Sequence, residues 1–156
     1  MTRSKTGIRN VLELMHMRQV SLSRVELTYV TRCYVTRHGA GPLPNEIERP
    51  FNIIDRTNTY NEYQGRVRFS WLNVNELAAR IERDLVQISN LLDFGVSLFV
   101  TCLDQVGSGT FTYVKDNKLV CDSERNFIKD LREATGVEDI LVSRGPTRDH
   151  VSVYDF

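Results

Sequence analysis

Apolar residues recur at helical spacing in three segments of the chain. The first predicted helix covers residues 7–18, with the apolar positions Ile8, Val11, Leu12 and Met15. The second has an apolar face made by Leu77, Ile81, Leu85, Ile88 and Leu92. Asn73 or Asn75 is expected to cap the start of this second helix, and Gly95 is expected to lie just past its end.

The third predicted helix follows a predicted β-hairpin. Residues 110–114 and 118–121 are β-prone and flank the turn-forming residues 115–117, which is typical of a hairpin. The helix then covers residues 123–135 and stops at Gly136.

The remaining strands are predicted by alternating or continuous apolar runs. They cover residues 25–36, 66–72, 96–103, 140–143 and 151–153. The run over residues 96–103 is continuously apolar, which favours a buried strand in the centre of its sheet. The order of strands and helices predicts an α/β fold with a mixed or mostly parallel sheet and flanking helices.

The length and the charge balance of the chain indicate what kind of protein it is and which partners are not expected. The chain has 156 residues, about the length of one domain, and 41% of them are hydrophobic, so it is able to bury a core. We therefore expect a single domain over residues 1–156. Its 20 lysines and arginines balance its 20 aspartates and glutamates. Nucleic acid and anionic membranes are not expected partners, because the chain has no net positive field to attract them.

Cysteine usage and the N-terminus favour a cytoplasmic protein. The apolar stretches are strand-sized, far below the roughly 20 residues of a membrane span, and the N-terminus has no pattern of a secretory signal. Cys33, Cys102 and Cys121 lie in apolar strand-like runs, which is typical of buried free thiols in a reducing compartment. No Cys-x-x-Cys or His-x-x-x-His spacing occurs, so no metal site is predicted.

Polar motifs follow the predicted strands, where open α/β sheets bind their ligands. The first motif, TRHGAGPLPNE, covers residues 36–46. Its glycines leave backbone amides open to a ligand, and Arg37 is able to reach a phosphate or a carboxylate. The motif leads into a predicted loop over residues 43–64, whose length is typical of a functional or mobile segment.

The second motif, YQGRVRFSW, covers residues 63–71. It places Arg66 and Arg68 two positions apart, and therefore on the same side of the predicted strand. Two guanidinium groups suit a dicarboxylic amino acid. The alternative is an exposed strand face on which the arginines pair with nearby acids.

The third constellation joins the ends of two predicted strands. It consists of TCLD at residues 101–104 and SRGPTR at residues 143–148. Asp104 is able to accept two hydrogen bonds from the edge of a purine. An aspartate directly after a buried strand is also typical of a helix or turn cap, so both interpretations stay open.

These strings resemble four motifs of the adenylosuccinate synthetase family, in the family's order. TRHGAGPLPNE resembles TRxGxGPxPTE, GRVRFSW resembles the TTGRxRRxGW loop, and TCLD resembles TKLD. TGVEDILVSRGPTRD, at residues 135–149, resembles the terminal TGVPxxxxSTGPDR. The resemblance covers the C-terminal part of the family. Details such as Gln64 and the missing lysine in TCLD resemble its bacteriophage and archaeal-type branch, which includes aminoadenylosuccinate synthetase-like enzymes.

The resemblance implies roles for the first two motifs. Members of the family join aspartate to a purine nucleotide. Arg66 and Arg68 would clamp the aspartate carboxylates, and Tyr63 and Gln64 would help to shape the same loop. The pocket of the acceptor nucleotide would be lined by Arg37, His38 and Gly39.

The resemblance also implies a site for the nucleotide that donates the phosphate. Asp104 would contact its base, and the rim around the base would be formed by Ser143, Gly145 and Pro146. Cys102 stands where the family has a lysine that packs along guanine, so the donor is expected to be either GTP or ATP/dATP.

The phosphate-handling machinery of the family is not found in this sequence. No G-x-x-x-x-G-K-[ST] string occurs. Phosphoryl transfer depends on such a cradle and on Mg²⁺, which the N-terminal part of the family would hold, so no catalytic residue is assigned here.

Two functions follow from this pattern. The chain is expected to be part of a ligase in purine nucleotide metabolism, inactive alone and completed by an N-terminal half or by a homodimer. The alternative is a non-catalytic nucleotide-binding or synthetase-binding regulatory module.

Overall fold

The protein has three helices and nine strands in the part of the chain that its computed structural model describes, residues 7–20, 23–48, 60–87, 93–106 and 109–156. The helices are α1 (Ile8–Met17), α2 (Val74–Leu85) and α3 (Glu124–Thr135). The strands are β1 (Arg24–Arg32), β2 (Tyr34–Arg37), β3 (Glu46–Ile47), β4 (Arg68–Asn73), β5 (Asp93–Thr101), β6 (Thr110–Lys115), β7 (Lys118–Ser123), β8 (Asp139–Ser143) and β9 (Val151–Val153). Short 3₁₀ helices occupy Leu103–Gln105 and Arg148–His150.

The strands form two sheets. The first has the order β1-β5-β8-β9, in which β1, β5 and β8 are parallel and β9 is antiparallel. The second has the order β2-β4-β6-β7, with β3 beside β4, and β4 pairs with β6 in parallel. The predicted α/β fold with flanking helices is confirmed, although the strands form two mixed sheets where a single one was predicted. The strand expected in the centre of a sheet is confirmed in its position, because β5 lies between β1 and β8, but within β5 only Leu98 and Val100 are buried.

The strand predicted over residues 25–36 is in fact two strands in different sheets. The chain bends at the buried Cys33, whose N–H donates to the Thr101 carbonyl at 3.1 Å. β1 pairs with β5 in the first sheet, whereas β2 pairs with β4 in the second. The apolar pattern does not reveal this bend, because both strands contribute residues to the same core.

Helix α2 ends at Leu85, so the expected stop at Gly95 is wrong. Gly95 lies inside β5 opposite Glu26 of β1, whose carboxylate occupies the space that a Cβ would take. The predicted face residues Ile88 and Leu92 lie outside the described residues. Of the two expected caps, Asn73 is the one used: its side chain accepts from the Glu76 N–H at 3.1 Å.

The hairpin and the third helix are confirmed. Asp116 and Asn117 form the turn with φ values of 50° and 58°, a conformation typical of two-residue hairpin turns. Ser123 caps α3 by accepting from the Asn126 N–H, and Gly136 ends it at φ 66°. The loop predicted over residues 43–64 contains β3, and its residues 49–59 lie outside the described part.

The three cysteines differ in burial. Cys33 is buried, Cys102 is half-buried and Cys121 is exposed, so the prediction of a buried thiol is wrong for Cys121. Cys121 lies on β7, the outer strand of the second sheet, where alternate positions face solvent. Burial raises the pKa of the Cys33 thiol, which keeps it protonated.

One hydrophobic cluster joins both sheets to helices α2 and α3. Leu98 and Val142 of the first sheet, Tyr113 of the second and Phe127 of α3 are all fully buried in it. The Phe127 ring stacks on Phe111 with 5.1 Å between centroids and packs against Tyr113 at 5.0 Å. Aromatic contacts therefore contribute to the packing of the helix against the second sheet.

Replacing Phe127 with alanine should lower the free energy of unfolding by about 3–5 kcal/mol, because a fully buried ring and its two aromatic contacts are lost. Chemical denaturation followed by circular dichroism measures this loss. Leu119→Ala is the matched control: that side chain is 64% exposed, and a change within about 0.5 kcal/mol is expected. A loss for Phe127→Ala as small as the control's would contradict the position of the core.

Candidate functional site

Arg37 and Arg68 form the centre of the first two motifs. They are direct partners across the antiparallel β2–β4 pair, so their side chains leave the same face of the sheet. Each guanidinium then donates two hydrogen bonds to carbonyls of the glycine-containing loop. Arg37 bonds Ala40 O at 3.0 Å and Pro42 O at 3.1 Å, and Arg68 bonds Gly39 O at 3.1 Å and Gly41 O at 2.8 Å. Four consecutive carbonyls, those of residues 39–42, thus bind two arginines.

Glu46 is the anionic partner of Arg68. Its Oε1 accepts from Arg68 Nε at 2.6 Å, and its Oε2 accepts from Arg68 Nη2, so the pair is bidentate. The hydrogen bond from Arg68 lowers the pKa of the Glu46 carboxyl, and the same bond raises the pKa of the Arg68 guanidinium. For the second motif, one predicted alternative was that its arginines pair with nearby acids. This alternative is observed for Arg68. No role was predicted for Glu46 from the sequence, although it is the last residue of the first motif.

The loop over residues 39–42 depends on its glycines. Gly39 and Gly41 have φ values of 78° and 112°, which favour glycine. A Cβ on Gly41 would lie 2.6 Å from Arg37 Nη2, too close for a side chain. The loop is also joined to β4, because the buried Ser70 Oγ donates to the Pro44 carbonyl.

The second motif forms a tight turn beside this loop. Asn61 Oδ1 accepts from the N–H groups of Tyr63 at 3.1 Å and Gln64 at 2.8 Å. The Gln64 carbonyl in turn accepts from the Gly39 N–H at 3.0 Å. Two motifs some 25 residues apart in sequence are therefore hydrogen-bonded to each other. The side chains of Tyr63 and Gln64 are exposed.

Arg66 differs from Arg68 in its surroundings. The strand begins at Arg68 and not at residue 66 as predicted, so the alternation that would place both arginines on one side of a strand does not extend to Arg66. Arg66 is exposed and makes no hydrogen bond or ion pair with the described residues. His38, next to Arg37 at the start of the loop, is exposed as well.

The third constellation lies at the end of the first sheet. β5 and β8 are parallel neighbours, so Thr101 and Ser143 end at the same edge, and the 3₁₀ helix Leu103–Gln105 contacts β8. Asp104 lies in this 3₁₀ helix and is exposed. Cys102, directly before it, has a φ of 67° in the left-handed region.

The loop after β8 is held by its own hydrogen bonds. Ser143 is buried, and its Oγ donates to the Gly145 carbonyl at 2.8 Å. The space of a Cβ on Gly145 is occupied by the His150 ring. Pro146 is exposed at the turn that follows. The structure thus brings Asp104 to the same sheet edge as the residues predicted to form a rim.

A pocket of about 870 Å³ is lined in part by residues of the first motif. It is lined by residues of β1, β2, β4 and α2 together with residues 43–45, and none of the predicted site residues lines it. No group of three histidine, cysteine or acidic side chains in the described ranges is arranged to hold a metal ion. In those same ranges, no helix has the length and apolar character that crossing a membrane requires.

An α/β domain with polar loops at its strand ends is a class that includes many nucleotide-binding proteins. Within that class, the chain is similar to curated adenylosuccinate synthetases. It is 28% identical over 125 residues to that of Methanococcus maripaludis (strain S2), which covers 78% of this chain and 33% of the relative. It is 27% identical over 159 residues to that of Coxiella burnetii (strain RSA 331), covering 80% of this chain and 37% of the relative.

The chain spans about a third of the length of these curated relatives. No protein-family model matches it. The similarity supports a relation to the part of adenylosuccinate synthetases that it covers.

Replacing Arg68 with alanine should raise the pKa of the Glu46 carboxyl towards that of an ordinary glutamate, because the hydrogen bond that lowers it is lost. A pH titration of the carboxyl followed by NMR measures the change, and Arg66→Ala is the control expected to leave it unaltered. Since the folded-state pKa is lowered, the pair stabilises the fold above the ordinary glutamate pKa and is lost as pH falls through the lowered value. An unchanged Glu46 titration in Arg68→Ala would contradict the pairing.

Proposed function

We propose that this chain is the ligand-recognising part of an adenylosuccinate or aminoadenylosuccinate synthetase-like ligase, and that it is inactive alone. The observation that carries the proposal is the hydrogen bonding of the first two motifs into one double loop, in a chain similar to adenylosuccinate synthetases over most of its length. We assign it to the phage-type branch on Gln64 and Cys102, and we place it in the cytoplasm.

Arg66 is the proposed primary contact for aspartate. It is exposed and free of partners in the described part of the chain, whereas both sides of the Arg68 fork are occupied by Glu46 and by loop carbonyls. Arg68 would reach a second carboxylate only by exchanging Glu46 for it. Tyr63 and Gln64 shape this side of the site through the turn that their N–H groups make with Asn61.

The acceptor nucleotide is proposed to bind against the loop over residues 39–42. Because a peptide unit is planar and trans, carbonyls that face Arg37 and Arg68 leave the N–H groups of Ala40 and Gly41 pointing away from them. Neither N–H has a hydrogen-bond partner among the described residues. Such N–H groups suit a phosphate. Arg37 thus supports this pocket from behind, while the exposed His38 flanks it.

The donor nucleotide is proposed to bind at the edge where β5 and β8 end. Asp104 is exposed there and would accept from a purine's edge, with Ser143, Gly145 and Pro146 as the rim. With Cys102 before it, GTP and ATP or dATP are all candidate donors. Mg²⁺ would neutralise the phosphates when bound, and ligands for it would come mainly from polypeptide of the kind that the relatives carry beyond the matched region.

Calorimetric titration with GTP, ATP, IMP and dGMP tests this function. We expect one triphosphate and one monophosphate to bind, and Asp104→Ala to weaken triphosphate binding about tenfold or more while sparing the monophosphate. Asp139→Ala is the matched control, since Asp139 is an exposed residue at the opposite end of β8. Absence of binding by all four nucleotides would exclude nucleotide recognition by this chain. Binding without ligase activity in a completed enzyme would favour the regulatory module.

Arg66→Ala should weaken aspartate binding about 10- to 100-fold, because a charge-assisted contact to a carboxylate is removed. The affinity is measured by titrating aspartate in the presence of saturating monophosphate. Arg125→Ala, which removes an exposed arginine of α3, serves as the control. An unaltered aspartate affinity in Arg66→Ala would remove the role assigned to this residue.

A further inference from the structure

His150 packs against the loop that follows β8. Its ring lies next to Gly145, since a Cβ on that glycine would be 2.5 Å from the imidazole Cγ and 2.6 Å from Nδ1. Distances this short leave no room for a side chain, so the ring is in contact with the Gly145 backbone itself. We call residues 143–147 the rim loop, because they include the residues predicted to surround the donor base.

Hydrogen bonds tie both ends of the rim loop to His150. The Arg144 N–H donates to the His150 carbonyl at 3.1 Å, and the His150 N–H donates to the Thr147 carbonyl at 3.0 Å. The imidazole adds contacts of its own, because Nδ1 lies 2.8 Å from Thr147 Oγ1 and 3.4 Å from the Thr147 nitrogen. The turn therefore closes on one residue, through both its main chain and its ring.

The contact with Thr147 requires a neutral imidazole. The Thr147 N–H is only a donor, so Nδ1 accepts and the proton of the neutral ring lies on Nε2. A protonated imidazole has no acceptor, because both of its nitrogens carry a proton. It keeps only the contact with the Thr147 hydroxyl, whose oxygen is able to accept. Imidazoles change charge between about pH 5 and about pH 8, so this arrangement is sensitive to pH near neutrality.

The other charged groups of the turn balance one another. Arg144 is paired with Glu124 of α3, because its Nε and Nη2 donate to the two carboxylate oxygens. Arg148 and Asp149, which precede His150 in the 3₁₀ helix, are exposed and opposite in charge. No ion pair joins His150 to an acid in the part of the chain that the structure describes. His150 is exposed as well, so protons reach its ring from solvent.

We propose that neutral His150 positions the rim loop, and that protonation of its imidazole releases the loop and weakens binding of the donor nucleotide. The second part rests on the proposed function, because it takes the rim as part of the donor site. The connection from ring to rim is short. The ring packs on Gly145, whose carbonyl accepts from the Ser143 hydroxyl at 2.8 Å. His150 acts through this glycine, and is therefore a positioning residue.

A pH titration followed by NMR tests the first part without any nucleotide. The amide signals of Gly145 and Thr147 should shift together with the His150 ring signals as the pH falls from about 8 to about 5.5. His150→Asn should abolish this shift, because a side-chain amide oxygen still accepts from the Thr147 N–H but does not titrate.

His16→Asn is the matched control for this titration, since His16 is an exposed histidine of α1 and should leave the shift unaltered. A Gly145 signal that does not follow the His150 ring would overturn the proposal. So would a Gly145 signal that still shifts in His150→Asn.

Calorimetric titration with GTP and with ATP, at about pH 8 and about pH 5.5, tests the second part. A triphosphate also takes up protons in this range, so each chain is compared with His150→Asn, which retains only the contribution of the nucleotide. We expect the original chain to lose about fivefold more affinity than His150→Asn at the lower pH. At the higher pH, His150→Ala should weaken binding by a similar factor, and His150→Asn should restore most of it.

Equal losses in the original chain and in His150→Asn would overturn the effect on donor binding. Absence of binding by both nucleotides at both pH values would overturn the proposed donor site, and with it the second part of the proposal. The NMR result concerns the rim loop alone, so it distinguishes a failure of the positioning role from a failure of the proposed function.

Discussion

The two sheets share a single hydrophobic cluster, and the rest of the structure depends on this sharing. The first sheet contributes residues such as Leu98 and Val142, the second contributes Tyr113, and α3 adds Phe127. The chain passes repeatedly from one sheet to the other, and both sheets contribute residues to the cluster. Each passage from the first sheet to the second begins just beyond the end of a parallel strand, at Cys33 after β1 and at Cys102 after β5. The proposed donor site is built at the second of these passages.

Local signals allowed the helices and the hairpin to be predicted from the sequence. The caps of α3 are set by Ser123 and Gly136, whose hydrogen bonds and φ values depend on residues a few positions away. The features that could not be predicted depend on distant residues. The bend at Cys33 depends on Thr101, and the place of Gly95 inside a strand depends on Glu26. A periodicity within one segment contains no information about such partners.

The same contrast between local signals and distant partners applies to the candidate site. Residue type pointed to the arginines and glycines of the first two motifs, but it did not reveal that Arg37 and Arg68 hold the loop while Arg66 has no partner among the described residues. Arg37 and Arg68 bind main-chain carbonyls, which every residue possesses and which therefore leave no trace in the sequence. Arginines paired with nearby acids were one predicted alternative, but the sequence did not identify Glu46 as the acid, because Glu46 lies 22 residues before Arg68.

The close approach of Gly41 to Arg37 has a consequence for the variation that this loop can tolerate. At Gly41 the lack of a side chain makes room for a guanidinium that binds two carbonyls of the same loop. A substitution there would displace Arg37, and the displaced arginine would release the neighbouring carbonyls. Because Gly41 also has a φ of 112°, a shorter residue at position 37 would not by itself admit a side chain at position 41, so functional variants of this protein should keep glycine there.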